Sequence, residues 1–266
     1  MNQAKYYDTH SHMNLEPLNN EITGIVEELK SNSCITNCVG VDLNSSYQAV
    51  DFAKKYPDII RACVGIHPSD VDQYLPNFIQ TIEQLDNLVK NNLNSIVGIG
   101  EVGFDFYRNE KSESVYLTQK KFLEAQFSIA KKYNLPLMLH IRDAFDECIS
   151  FLKEIKYEKV LIHCFSSTLQ EAEEYLRMGC LISIPGIVTF KNALSLKEAV
   201  KKIPIQKIVI ETDSPFLAPV PYRGKTNYPA YVKYVSKEIA EIKNEDVNLI
   251  EKIVLENALK FFNWKF

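Results

Sequence analysis

A single (β/α)₈ barrel of the α/β class, a TIM barrel, is the fold that the sequence predicts for residues 1–266. Eight short apolar segments alternate with helical segments along the chain. The 266 residues, 46% of them hydrophobic, are enough for one large barrel and its core. No Pro-, Gly- or Ser-rich stretch marks a boundary between two domains. A doubly wound open sheet is the alternative architecture.

Strands are expected where Val- and Ile-rich segments run for four to eight residues, because strands covered on both faces are apolar throughout. Eight segments satisfy this description. They cover residues 5–8, 34–41, 59–66, 95–100, 135–141, 159–164, 181–184 and 207–211.

Helices are expected between these strands, where apolar residues recur three or four positions apart. The segments 78–89 and 122–133 follow this spacing. Ser167 and Gln170 are spaced as a capping box, and Gly179 ends the helix that follows. Two further helices, over residues 230–242 and 247–261, come after the last strand. The barrel should therefore carry an extra C-terminal helix.

Composition limits the possible partners and compartments. A net charge of −4 argues against a broad basic surface that clamps duplex DNA. No apolar segment approaches the length of a membrane span, and residues 1–5 lack the apolar region of a secretory signal. The six cysteines form no Cys-x-x-Cys pair, as expected of reduced, buried thiols. We expect a cytoplasmic protein with no membrane attachment and no obligate protein partner.

The pair His10-x-His12 follows the first expected strand. Side chains alternate between the two faces of an extended chain, so both imidazoles point the same way. Two neutral imidazoles on one side provide half of a divalent-metal site.

The other three histidines, His67, His140 and His163, also lie at the ends of expected strands. Glu101 and Asp213 follow the fourth and the eighth strands. The carboxyl ends of all barrel strands meet at one mouth, where barrel enzymes carry their active sites. Histidines with only structural roles would not sort to these positions, so the pattern predicts a metal centre.

The number of candidate ligands predicts two ions. Four imidazoles and two carboxylates exceed the four ligands of one tetrahedral ion, and a carboxylate can bridge two ions. A purely structural metal would need a closed four-ligand site, which argues against a non-enzymatic binding module. Imidazole-rich sites suit Zn²⁺, Mn²⁺ or Fe²⁺ as the bound metal.

Gly98, Gly100 and Gly103 match the spacing of the dinucleotide-binding fingerprint. That fingerprint must open a helix, so that the pyrophosphate meets the helix N-terminus. The residues after Gly103 give no sign of a helix start. We therefore expect the glycines to let the backbone turn tightly around Glu101 and not to bind a dinucleotide.

Taken together, the motifs resemble those of the TatD family of metal-dependent deoxyribonucleases, within the amidohydrolase superfamily. The resemblance extends from Asp8 to the C-terminal helix. The segments that carry it are Asp8-Thr9-His10-Ser11-His12, Gly65-Ile66-His67-Pro68, Gly100-Glu101-Val102-Gly103-Phe104-Asp105-Phe106-Tyr107, His140-Ile141-Arg142, His163-Cys164-Phe165-Ser166, Glu211-Thr212-Asp213-Ser214-Pro215-Phe216-Leu217, Tyr222-Arg223-Gly224-Lys225 and Glu256-Asn257-Ala258.

The resemblance implies a 3′-to-5′ exonuclease of DNA, with RNA as an open alternative and Mg²⁺ supporting turnover. It implies metal ligation by His10, His12, Glu101, His140, His163 and Asp213, with Glu101 as the bridge. This chain departs from the family after Lys225, where Thr226-Asn227-Tyr228-Pro229 replaces the frequent Arg-Asn-Glu-Pro, and at Ser167, where family members tend to have Gly. The departures bear on substrate preference and not on the metal site.

We expect hydrolysis of phosphodiesters at the 3′ ends of single-stranded DNA by metal-activated water. Asp213 is the expected general base and Glu101 the expected bridging ligand. His67 has no place among six ligands, so it is expected to contact the substrate phosphate or the leaving group.

Arg142, Arg223 and Lys225 lie just beyond strand ends and are expected to hold phosphates. Tyr107 and Arg108 are expected to form a stacking wall for a base. The alternative function is a metal-dependent hydrolase of amide, lactone or aminoacyl-tRNA ester substrates, because the same ligands support attack on a carbonyl carbon.

Overall fold

Eight parallel strands form one sheet in the order of the chain in the computed structural model, which describes residues 4–107 and 111–264. Each strand pairs with the next, from β1 to β8. A parallel bridge between Ser11 and Ser214 brings the first strand against the segment after the last. The strands are β1 Tyr6–Ser11, β2 Cys34–Val39, β3 Ile60–Val64, β4 Ile96–Asp105, β5 Leu137–Arg142, β6 Val160–Ile162, β7 Leu181–Ile184 and β8 Ile208–Ile210. The predicted barrel is confirmed.

Helices follow the strands around the outside of the barrel. The α-helices are α1 Ile22–Ser31, α2 Leu43–Lys55, α3 Val71–Tyr74, α4 Phe78–Asn91, α5 Glu113–Tyr133, α6 Phe145–Ile155, α7 Leu169–Arg177, α8 Leu194–Lys202, α9 Val232–Lys243 and α10 Val247–Phe261. Short 3₁₀ segments lie at Leu18–Asn20, Leu75–Asn77, Gly186–Thr189, Ile205–Lys207 and Pro229–Tyr231. Helix α10 is the predicted extra C-terminal helix.

Two strands run at least three residues further than the sequence predicts, and both carry site residues. β1 continues through His10 to Ser11, and β4 continues through Glu101 to Asp105. The sequence pattern missed these extensions because it relied on apolar residues. The polar side chains of the extensions face the barrel mouth and not an apolar core. The predicted cap of α7 at Ser167 is wrong. The cap is Thr168, whose hydroxyl accepts the Glu171 N–H at 3.4 Å.

The core has two layers, as the alternation of side chains along barrel strands requires. Tyr6 packs in the large outer layer between strands and helices, while Tyr7 packs in the inner layer within the barrel. Phe262 and Trp264, which follow α10, contact Tyr7 with ring centroids 5.7 and 5.1 Å away. The C-terminal segment thereby closes the amino end of the barrel and leaves the carboxyl end for the site.

Each of the six cysteines is a free thiol, and five of them are buried. In residues 4–107 and 111–264, no helix has the length and apolarity required to cross a bilayer.

Candidate metal centre

His10 and His12 form the first half of the candidate site, at the end of β1. Their Nε2 atoms lie only 3.0 Å apart. The intervening Ser11 turns the other way and donates to the Asn37 carbonyl oxygen at 2.9 Å, as the two-residue alternation of a strand dictates. Two imidazole nitrogens that face each other this closely need a shared proton or a shared cation.

Glu101 presents its two carboxylate oxygens to two different groups of histidines. Oε2 lies 3.6 Å from His10 Nε2 and 3.5 Å from His12 Nε2. Oε1 lies 2.6 Å from His140 Nδ1 and 3.3 Å from His163 Nε2. A carboxylate placed in this way has the geometry of a bridge between two cations.

Two more carboxylates bind the ring nitrogens of His140 and His163 that face away from Glu101. Asp105 Oδ2 lies 3.0 Å from His140 Nε2, so Nδ1 is the nitrogen left for the site. Glu211 Oε1 lies 2.9 Å from His163 Nδ1 and also accepts the Cys164 N–H at 2.8 Å. Carboxylate partners of this kind fix the tautomer of a metal-binding imidazole and raise its basicity.

The first half of the site rests on neutral partners instead. His12 Nδ1 lies 3.0 Å from the Val39 carbonyl oxygen, so Nδ1 donates there and Nε2 is the nitrogen that faces the site. His10 Nδ1 lies 2.9 Å from the Met138 sulfur. Met138 belongs to the inner core, so the site contacts the packed interior of the barrel directly.

Asp213 reaches the first half from the segment after β8. Its Oδ1 lies 3.4 Å from His12 Nε2 and 3.7 Å from His10 Nε2. The backbone N–H of Asp213 donates to the His10 carbonyl oxygen at 2.9 Å. Its φ of 57° is in the left-handed region, which Asp occupies more readily than most residues. This conformation turns the carboxylate back over β1.

Asp8 anchors the backbone beneath these ligands. Its carboxyl group is fully buried, and it accepts the Thr212 N–H at 2.7 Å and the Thr212 hydroxyl at 2.8 Å. It also accepts the Thr36 hydroxyl at 3.2 Å. Burial raises the pKa of Asp8 well above its ordinary value, against the opposing effect of the Thr212 hydrogen bonds. Asp8 therefore ties β1, β2 and the segment after β8 together.

The electrostatics of the site couple buried carboxylates to buried imidazoles. Burial disfavours ionised Glu101, but the surrounding histidines, His67 and His163 foremost, lower its pKa well below the ordinary value. Burial also disfavours charged His12, yet hydrogen bonds to Asp213 and Glu101 raise its pKa to about 10. Burial and the neighbouring His163 lower the pKa of His10 to about 4. The anionic carboxylates of Glu101 and Asp213 thus face imidazoles that cannot all be positively charged.

His67 is close to the second half of the candidate site, which His140 and His163 form, but it is oriented as a hydrogen-bond donor. Its Nδ1 accepts the Ser69 N–H at 3.1 Å, which requires an unprotonated Nδ1. The ring proton of the neutral imidazole is then on Nε2, which lies 3.5 Å from Glu101 Oε1. With its proton on Nε2, His67 offers an N–H to the site.

The donor set fits divalent cations. In the described part of the chain, ligand atoms lie within 4.8 Å of one another in four groups: His10, His12 and Glu101; His10, His163 and Glu211; His67, Glu101 and His140; and His163, Cys164 and Asp213. Imidazole and carboxylate are the ligands that Zn²⁺, Mn²⁺ and Fe²⁺ share. A cation would relieve both the close approach of the two histidines and the clustering of the carboxylates.

A cavity of about 650 Å³ opens beside this centre, and His163 and Cys164 form part of its wall. Arg142 and Tyr107 line it too, and the guanidinium stacks on the tyrosine ring with 3.7 Å from Cζ to the ring centroid. The structure thus brings two of the predicted substrate contacts together beside the ligands. Because Arg142 covers one face of Tyr107, the predicted stacking wall is already occupied on that face. Arg108 lies outside the described residues.

The other two predicted phosphate contacts lie elsewhere. Arg223 is exposed and stacks on Phe190, with 4.3 Å from Cζ to the ring centroid. Lys225 is exposed on the same loop. Neither residue lines the cavity beside the ligands.

The structure places three further residues at or beside the site for which the sequence predicted no role. Asp105 and Glu211 position the rings of two histidines, and Phe216 is 52% exposed with its ring centroid 6.3 Å from that of His12. The position of Glu211, directly after β8 and two residues before Asp213, was the available signal. The role of Asp105 depends on the pairing of β4 with β5, which sequence patterns do not reveal.

A parallel barrel whose carboxyl end gathers imidazoles around a shared carboxylate defines a class, the metal-dependent hydrolases. The model of the TatD related DNase family matches residues 7–263. The chain therefore belongs to the TatD family, and it is a metal-dependent hydrolase of that family. The predicted resemblance is confirmed.

Relatives and solved structures agree with this assignment. An uncharacterized metal-dependent hydrolase of Mycoplasma genitalium, MG009, is 44% identical over 264 residues, which cover 97% of this chain and 99% of that protein. YabD of Bacillus subtilis, also named an uncharacterized metal-dependent hydrolase, is 37% identical, with 96% and 98% covered. The crystal structure of the TatD homologue YJJV from Escherichia coli has the same fold, with a TM-score of 0.89 at 23% identity, and covers 98% of this chain and 99% of its own.

Proposed function

We propose that the protein is a 3′-to-5′ exodeoxyribonuclease that hydrolyses terminal phosphodiesters of single-stranded DNA. The observation that carries the proposal is the division of one donor set by Glu101, whose oxygens face separate groups of histidines. The histidines on the two sides of Glu101 would hold two divalent ions, which would suit a phosphoryl group with its several charged oxygens. The name of the matching family, TatD related DNase, supports the same chemistry. The 3′ polarity follows from the family resemblance alone.

The residues that would hold the metals separate into two groups around Glu101. His10, His12 and Asp213 form one group, and His140 and His163 form the other. Divalent ions there make water more acidic and offset the charge that develops on phosphoryl oxygens. Mg²⁺ is proposed to support turnover, and Zn²⁺, Mn²⁺ or Fe²⁺ to be the ions that imidazoles retain.

Asp213 is proposed to accept the proton of the attacking water. Its pKa is lowered, since hydrogen bonding to His12 and the nearby His163 and His10 outweigh the effect of burial. The carboxylate is thus ionised and able to accept a hydrogen bond. It is also partly open to the barrel mouth, with a side-chain exposure of 14% compared with 5% for Glu101. A base must lie within hydrogen-bond reach of the water, and Asp213 is the more accessible of the two carboxylates.

His67 and Arg142 are proposed to hold the phosphate. The Nε2–H of His67 is directed at the second half of the site, 3.5 Å from Glu101 Oε1. Arg142 is two residues beyond His140 on β5, so both side chains leave the same face of the strand. Its guanidinium makes no ion pair with the described residues and keeps its donors for an anion. Arg223 and Lys225, further along the rim, are proposed to contact phosphates upstream.

A site at the mouth of a barrel admits a chain end or an unpaired nucleotide more readily than a stacked duplex. Unpairing one nucleotide costs a few kcal/mol. The net charge of −4 agrees with few phosphate contacts and no long basic track. Exposed Phe216, beside His12, offers a ring face to a base near the reacting phosphate.

An activity panel on metal-reconstituted protein tests the proposal. Single-stranded DNA, RNA, a lactone and an aminoacyl ester are compared with Mg²⁺, Mn²⁺ or Zn²⁺, and the Asp213→Asn variant is the control for contaminating nuclease. We expect single-stranded DNA to be cleaved and the variant to be inactive. Hydrolysis of only the lactone or the ester would overturn the proposal in favour of carbonyl chemistry.

A further inference from the structure

The cavity beside the candidate metal centre carries opposite charges on its two sides. Strand-end residues His163 and Cys164 and the strand residue Arg142 form its wall on the barrel side. The first turns of α6 and α7 form its wall on the side of the outer helices, and they contribute Asp146 and Glu171. The cationic Arg142 therefore lies next to the candidate ligands, and the carboxylates of Asp146 and Glu171 lie on the side of the outer helices.

Carboxylates outnumber cations along this cavity. Asp143, Asp146, Glu147 and Glu171 line it, against Lys111 and Arg142. Lys111 is already paired with Glu147 at 2.5 Å. The carboxylates of Asp143, Asp146 and Glu171 make no ion pair with the described residues. The outer end of the cavity therefore carries net negative charge.

A ligand that fits must be anionic at the metal end and neutral, with hydrogen-bond donors, at the outer end. A nucleotide with its 5′-phosphate at the metals and its sugar and base in the cavity has this character. Carboxylates accept hydrogen bonds from sugar hydroxyls and from the amino groups of bases. The volume of about 650 Å³ lies within the range of about 300–1,000 Å³ typical of small-molecule sites.

We propose that this cavity holds the 3′-terminal nucleoside of the substrate and that its carboxylates select a free 3′-hydroxyl over a 3′-phosphate. The inference rests on the proposed exonuclease function. The hydroxyl donates its single hydrogen to one of the carboxylates that line the cavity, that of Asp143 or that of Glu171. A 3′-phosphate would bring about −1.5 to −2 charges against them and leave no donor. The volume of about 650 Å³ is large enough for one nucleoside, as the proposed release of single nucleotides requires.

End-labelled single-stranded DNA of one sequence, ending in either a 3′-hydroxyl or a 3′-phosphate, tests this selectivity. We expect the hydroxyl end to be cleaved at least about tenfold faster, because like charges in a partly exposed cavity repel strongly but are screened by salt. In the double variant Asp143→Asn, Glu171→Gln, the preference should fall about threefold or more. Glu113→Gln is the matched control, since Glu113 lies in the first turn of α5 but does not line the cavity.

A binding measurement keeps the inference testable if the double variant fails to fold. A deoxynucleoside 5′-monophosphate should inhibit the wild-type enzyme at lower concentration than the matching 3′,5′-bisphosphate. Equal cleavage of the two DNA ends, or equal inhibition by the two nucleotides, would overturn the inference and leave the exonuclease proposal standing. Absence of cleavage at both ends would overturn the exonuclease proposal and the inference with it. If the enzyme hydrolyses an aminoacyl ester and the double variant does so more slowly, the carboxylates bind the ammonium group of that ester. This result would also overturn the inference.

Discussion

Glu101→Gln removes one of the two oxygens that face the separate groups of histidines. The amide keeps the shape of the side chain, so packing at this buried position changes little. One oxygen remains, but the NH₂ group cannot ligate a metal and can only donate. We expect the variant to fold, to lose tight binding of one divalent ion per chain and to lose most of its activity.

The magnitude follows from the position of Glu101. Replacing an outer partner of a metal ligand lowers metal affinity by about 10–100-fold. Glu101 lies closer than such a partner, with Oε1 at 2.6 Å from His140 Nδ1 and Oε2 at 3.5 Å from His12 Nε2. We therefore expect at least about 100-fold weaker binding of one ion, or about 2.8 kcal/mol at about 1.4 kcal/mol per tenfold change.

Equilibrium dialysis with Mn²⁺ or Zn²⁺, followed by elemental analysis, measures the number of bound ions and their affinities. Glu251→Gln is the matched control, because Glu251 is also buried but accepts from the Tyr6 hydroxyl at the amino end of the barrel. The control should bind metal as the wild type does. Unchanged stoichiometry and affinity in Glu101→Gln would refute the assignment of a bridging carboxylate.

Three further variants test individual parts of the site. The double variant His10→Ala, His12→Ala should lose at least one ion per chain, and unchanged metal content in elemental analysis would contradict the ligand assignment. Asp213→Asn should fold normally by circular dichroism but turn over about 10²–10⁴-fold more slowly, because the amide cannot take a proton from water; near-wild-type rates would exclude it as the base. Glu211→Gln, which replaces the carboxylate at His163 Nδ1 by a neutral amide, should weaken metal binding by about 10–100-fold in a titration, whereas wild-type affinity would show that this carboxylate has no role in positioning the ring.

The gathering of the candidate ligands at one end of the barrel could be predicted from the sequence, because strand geometry makes their positions local. His10 and His12 share a face through the alternation of a strand, and His163 directly follows β6. Parallel strands in a barrel then bring distant strand ends to one mouth. Glu101 was assigned to the same mouth, although it lies within β4 and not at its end.

The roles of the surrounding residues could not be predicted, because they depend on contacts between elements. Asp105 reaches His140 because β4 and β5 pair with Asp105 opposite Arg142. Arg142 stacks on Tyr107 and Arg223 stacks on Phe190, so aromatic rings position both guanidinium groups. Such pairings follow from register and loop conformation, which residue spacing alone does not determine.

Cleavage of linear and circular single-stranded DNA of the same sequence tests the proposed function most directly. The linear strand is labelled at either its 5′ or its 3′ end, and both forms are incubated with the metal-reconstituted enzyme. A site that admits chain ends should release mononucleotides from the 3′ end first and leave the circle intact. Cleavage of the circle as fast as the linear strand would show an endonuclease and contradict the account.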